Sequence, residues 1–207
     1  MEYDDYTHSS VDRQPSCQYT MNLHMILMTD FYVVPDGVTH TLIKHTFISG
    51  NILVPYDPQH VLSTQLQKHK YTVTTNEDPN NLLDPIWWVS MREKKYDWVV
   101  CSTMGLKDYS EYIMEYGMSI ATNGIALLDR LSFLEPVFKR RTFLLKNKLS
   151  NMVVLSPRPK FRAVGSTKDS VTACWFVFQK PDKWMDGTMI SYAVNWENIG
   201  ALPELPT

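Results

Sequence analysis

Several short runs of this sequence are apolar almost without interruption: Ile52-Leu53-Val54, Trp98-Val99-Val100-Cys101, Gly124-Ile125-Ala126-Leu127-Leu128, Met152-Val153-Val154-Leu155 and Ala173-Cys174-Trp175-Phe176-Val177-Phe178. A strand with one wet face alternates apolar and polar residues, whereas a uniformly apolar strand has to be covered on both sides. The β-branched stretch Tyr71–Thr75 adds a further strand, closed by the turn Asn76-Glu77-Asp78-Pro79. Helical spacing lies between the strands: Val38, Leu42 and Ile43 after a Pro-Asp-Gly turn, Val61, Leu62 and Leu66, the stretch 109–116, and a basic stretch 136–148. Strand and helix therefore alternate. The expected fold class is α/β, a Rossmann-like doubly wound sheet with helices on both faces.

The chain is 207 residues long, 44% apolar and 20% charged. That excludes a disordered segment and suits a domain large enough to bury its own core. The expected organisation is an acidic tail over 1–20, one domain over 21–180, and a C-terminal extension over 181–207 whose Tyr192, Trp196 and Ile199 are available to dock. The methionines at 21, 25 and 28 read as packing or as an adaptable contact surface. Cys17, Cys101 and Cys174 have neither metal-ligand spacing nor an even count. No run nears the ~18 apolar residues that span a bilayer, and the opening Met-Glu-Tyr-Asp-Asp is too polar for a signal peptide. A soluble, cytoplasmic protein is expected.

The eight glycines stand at 37, 50, 105, 117, 124, 165, 187 and 200, and no two flank a single residue. The chain therefore has no G-x-G fingerprint, and it lacks the P-loop Gly-Lys-[Ser/Thr] as well. Six histidines show no H-x-x-x-H pair, so no metal is expected. A G-x-S-x-G nucleophile turn is also missing.

Four pieces in order resemble the N6-adenine DNA methyltransferase-like proteins of phages and mobile elements, a class I Rossmann-like family. They are Asp30-Phe31-Tyr32 with Pro35; Gly124 to Glu135, with its Arg130-Leu131-Ser132-Phe133-Leu134-Glu135 ending; Arg158-Pro159-Lys160-Phe161; and the Ala173-Cys174-Trp175-Phe176-Val177-Phe178 strand. The resemblance covers roughly 30–180 and implies S-adenosylmethionine as cofactor. It places the cofactor loop at Pro55, Tyr56 and Asp57, continuing through Pro58, Gln59 and His60, with Glu77 or Asp78 as the ribose-binding acid. It places the catalytic turn, Asn/Asp-Pro-Pro-aromatic in the family, at Cys101-Ser102-Thr103-Met104, where acceptor, prolines and ring are all missing. Asp84-Pro85-Ile86-Trp87 looks like a displaced copy of that turn.

Bulky residues in the loop and a missing catalytic turn lead to one expectation: a degenerate methyltransferase-like protein that binds rather than catalyses and needs no cofactor. Two alternatives stay open. One is an active S-adenosylmethionine-dependent adenine methyltransferase using Asp84, Pro85 and Trp87. The other is a protein-binding regulatory or structural module of a phage or mobile element.

Charge supplies the partner expectation. Lys139, Arg140, Arg141, Lys146, Lys148, Arg158, Lys160, Arg162 and Lys168 fall in a thirty-residue window without an acid, although the chain's net charge is −2. DNA or RNA phosphates bind such clusters by counterion release, with Phe143 and Phe161 as candidate stacking rings. A solvated helix face, or a protein partner, is the competing reading.

Overall fold

The computed structural model describes residues 33–106, 109–135, 138–161, 171–184 and 186–197, without the side chains of 138 and 139. The expected tail, the three N-terminal methionines, Asp30-Phe31-Tyr32, Arg162, Lys168, Ile199 and the Lys139 side chain lie outside the described residues.

The described elements run α1 (Asp36–His45), β1 (Asn51–Val54), α2 (Val61–Lys68), β2 (Thr72–Thr75), α3 (Pro85–Glu93), β3 (Trp98–Ser102), α4 (Ser110–Ile120), β4 (Gly124–Arg130), α5 (Phe138–Lys146), β5 (Leu149–Ser156), β6 (Ala173–Gln179) and β7 (Met189–Val194). α1 carries Asp36 in its first turn and Lys44 and His45 in its last, which complements the helix dipole. α3 opens with Pro85 at its first position, and the Asp84 carboxylate accepts from the Ile86 N–H at 2.8 Å.

The strands form one seven-stranded sheet in the order β2-β1-β3-β4-β6-β5-β7. β6 is antiparallel to β4 and β5, and every other pairing is parallel. The chain passes outward from β1 to β2, then returns to lay β3 on the other side of β1. Strand order reverses there, so a crevice opens at the carboxyl ends of β1 and β3.

Both faces of the sheet are covered, as uniformly apolar strands require. On one face Ile52, Val54, Trp98, Val100, Leu128, Trp175 and Val177 pack with Val38 and Leu42 of α1 and Leu62 and Leu66 of α2. The Trp175 indole N–H donates to the Val38 carbonyl at 2.9 Å. On the other face Phe133 stacks on Phe176, and Phe143 of α5 meets Phe178 edge-on.

Two described elements are absent from the sequence reading. One is α3. The other is β7, which lies in the segment expected to be an extension: it pairs along six residues with β5 and completes the sheet. Trp196, just beyond it, docks on the domain, with its indole N–H donating to the Pro157 carbonyl. Among the described residues no helix is long and apolar enough to cross a membrane.

Candidate functional site

The crevice is bounded by the segments that follow β1, β2, β3 and β4. The loop after β1 is held from inside. The Asp57 carboxylate, 8% exposed, accepts from the N–H groups of Val61 at 3.1 Å and Ser63 at 2.7 Å, two of the donors that the first turn of α2 leaves free. The Asp57 N–H donates to the Asn76 carbonyl at 2.9 Å, and the Asn76 side-chain amide donates to the Pro55 carbonyl at 3.0 Å. The loops after β1 and β2 are thus laced together.

His60, immediately before α2, holds a left-handed backbone at φ 53°, and its Nε2 lies 2.7 Å from Oε1 of Glu77. Asp78 caps a 3-10 turn by accepting from the Asn80 N–H at 2.9 Å. Tyr56 is half-buried, and burial together with the nearby Asp78 carboxylate raises its hydroxyl pKa above the ordinary value. Tyr56, Asp57 and Glu77, all expected at a cofactor pocket, therefore gather at the ends of β1 and β2.

The expected catalytic positions lie at the end of β3. Cys101 is fully buried, and desolvation, with the Asp57 and Asp129 carboxylates nearby, pushes its thiol far above the ordinary range. Met104 is buried as well. Thr103, also buried, donates its hydroxyl to Oδ2 of Asp129 at 2.6 Å. The Ser102 hydroxyl is buried with no partner among the described residues. Asp129, at the end of β4, went unremarked in the sequence as a site residue. Burial raises its pKa, against the opposing effects of the Thr103 hydroxyl, the Arg130 N–H, and the Arg140 and Arg130 charges. It could be found only once β3 and β4 stood side by side, with Ser102 opposite Leu128.

Asp84, the displaced candidate, serves as the cap of α3, and Trp87 lies half-buried and edge-on to Trp88, whose ring is in the core. Among the described residues no group of three or more His, Cys, Asp or Glu is placed to hold a metal ion.

The basic window divides in space. α5 descends from the crevice end of β4 and β5 climbs back, so Arg158 and Lys160 stand at the crevice end, Arg141 midway along α5, and Lys146 and Lys148 at the opposite end. Arg141, Arg158 and Lys160 are exposed. Arg140 is anchored internally: it donates to the Phe133 carbonyl at 2.9 Å and sits 5.4 Å from the centre of that ring. The expected stacking rings are corrected. Phe143 and Phe161 are 6% and 1% exposed, because both sheet faces need aromatic filling there, and neither can reach a base.

A protein of Listeria monocytogenes assigned to the class I S-adenosylmethionine-dependent methyltransferases superposes with a TM-score of 0.52 at 10% identity, over 85% of this chain and 72% of that one. The fold is that of a class I methyltransferase. A predicted O-methyltransferase of Agrobacterium tumefaciens aligns over 78% of this chain and 86% of its own at 9% identity, with a TM-score of 0.41. No protein-family model and no curated protein matches the sequence. At such identities the likeness extends to the fold alone.

Proposed function

We propose that this chain uses the methyltransferase scaffold to bind a nucleic acid and does not transfer a methyl group, as a degenerate relative of the N6-adenine DNA methyltransferase-like proteins. The observation that carries the reading is the Asp57 carboxylate on the N–H groups of Val61 and Ser63. Backbone donors at the start of the helix that follows β1 are the natural seat for the carboxylate of a methyl donor's amino-acid half. Here an internal carboxylate takes them, and a second anion beside it would meet like charge. The residues at this end do not fit the donor: Glu77, the ribose-binding candidate, is paired with His60, and Tyr56 adds bulk between the loops.

Cys101, Thr103 and Met104 are buried, and none of them can stack on a base or accept from an exocyclic amine in the way the family turn does. What remains at the crevice end is exposed positive charge on Arg158 and Lys160, which suits phosphates. Calorimetric titration with S-adenosylmethionine tests the reading. A flat trace is expected, and micromolar binding would overturn it.

A further inference from the structure

The two edges of the sheet are built differently. β2, at one edge, has four residues, Thr72-Val73-Thr74-Thr75, with Lys68 and Lys70 just before it. Short length, polar side chains and nearby lysines are how natural sheets discourage edge-to-edge pairing. β7, at the other edge, has six residues, Met189-Ile190-Ser191-Tyr192-Ala193-Val194, with neither charge nor proline.

The chemistry of that edge is ordered. The Asn195 N–H donates to the Ser156 carbonyl of β5 at 2.8 Å, so the alternate residues Ile190, Tyr192 and Val194 direct their backbone N–H and C=O groups away from β5. Among the described residues, β5 is the one strand paired with β7. Ile190, Tyr192 and Val194 are also 54%, 67% and 57% exposed. Their side chains share the face of Met152 and Phe176, since Ile190 lies opposite Met152 and Met152 opposite Phe176. That is the face where Phe133 and α5 cover β6. Among the described residues, these three side chains form an exposed apolar corner of the sheet on that face.

We propose that β7 is a self-association edge, on which a second copy of this chain docks its own β7 in antiparallel register about Tyr192. In that register Tyr192 faces Tyr192 of the other copy and Ile190 faces its Val194, in both directions. The three outward-facing residues of each strand are the hydrogen-bonding positions of an antiparallel pair, so all six backbone groups on each copy that point away from β5 find partners in it. The same three side chains become cross-strand neighbours on one face, apolar against apolar, with no like charges brought together. The outward backbone groups and the apolar stripe are both matched in full in this one register. A dyad of this kind is isologous and closed, giving a dimer and not a fibre. It joins the sheets edge to edge and points the two crevices in opposite directions, so it is independent of the binding role proposed above.

The test is the mass of the full-length protein by light scattering across a concentration series. The expected wild-type result is a shift from 24.0 kDa toward twice that mass as concentration rises. Tyr192→Lys, which sets two ammonium groups face to face at an exposed position, is expected to hold the protein monomeric with an unchanged far-UV spectrum. Thr74→Lys on the β2 edge is expected to leave dimerisation intact. Tyr192→Cys in a Cys17→Ser background should form an intermolecular disulfide on mild oxidation, because opposed residues of such a pair have Cα atoms about 5.5 Å apart and Cys101 and Cys174 are buried. A wild-type protein that is monomeric at every concentration would overturn the proposal. So would a dimer indifferent to Tyr192→Lys, or a Tyr192→Cys variant that fails to cross-link.

Discussion

The carboxylate of Asp57 lies 2.7 Å from the backbone nitrogen of Ser63, and so closes the first turn of α2 from the loop that precedes it. A six-residue reach of this kind fixes where the loop can go, and it makes the end of β1 a finished piece of structure.

Removing that carboxylate leaves two backbone N–H groups unmet, that of Val61 half-buried and that of Ser63 buried. Asp57→Ala is expected to destabilise the fold by about 1–3 kcal/mol, read as a lowered urea midpoint with an unchanged slope. A loss below about 0.5 kcal/mol would mean that water replaces the carboxylate, and that the loop is open to other anions.

The division of the basic window predicts unequal effects on DNA binding. Arg158→Glu with Lys160→Glu, both at the crevice end, is expected to weaken binding to a short duplex and to reduce the slope of log affinity against log salt. Lys146→Glu, at the opposite end, is expected to change neither. Fluorescence anisotropy over a salt series measures both quantities. Equal losses from the two ends would place the phosphates elsewhere, and binding indifferent to salt would remove the nucleic-acid partner.

Much of the sheet was legible from the sequence because its strands are apolar on both faces. Trp98–Cys101 and Ala173–Phe178 admit no half-exposed alternative, and their burial is as that pattern requires. β7 was not legible for the converse reason: an edge strand with apolar groups facing water has no alternation to read. α3 is hard to read in the sequence because Asp84-Pro85-Ile86-Trp87 matches a displaced catalytic turn, while Asp84 and Pro85 are equally an N-cap and a first-turn proline. Tyr56, Asp57 and Glu77 are grouped in the sequence by the family resemblance alone, and they lie at one end of the sheet because β1 and β2 pair side by side. Their partners were not legible, since His60 and Glu77 are seventeen residues apart and meet only when β1 and β2 pair. The phenylalanines misled because a basic flank says nothing about which way a ring points.

Asp129 sets a pH dependence. Desolvation raises its pKa in the folded protein above the ordinary 3.8, so the folded state favours the neutral acid. The sign follows from linkage: its contribution is fully present below the ordinary value and is lost as pH rises through the raised one. Relative to Asp129→Asn, which carries no charge at any pH, the wild type is expected to lose stability from about pH 4 toward neutrality. Urea unfolding of both proteins at matched pH values measures the difference. A constant gap across that range would show that Asp129 titrates alike in the folded and unfolded chains.

Gly37 in α1 lies against the segment that follows β7. A Cβ there would overlap the Trp196 carbonyl oxygen and stand 2.8 Å from its ring. The obstruction is largely backbone, so it cannot be relieved by a change of rotamer. Gly37→Ala is therefore expected to cost about 1–3 kcal/mol, as overpacking does, although alanine is the better helix former. The loss should concentrate where Trp196 holds β7 to the domain, so amide exchange in Met189–Val194 should quicken more than in β4. Adding Trp196→Ala should not rescue the variant, because the carbonyl remains. Rescue would show that the indole alone sets the close approach, and a stabilised Gly37→Ala would show that Trp196 does not sit on α1 at all.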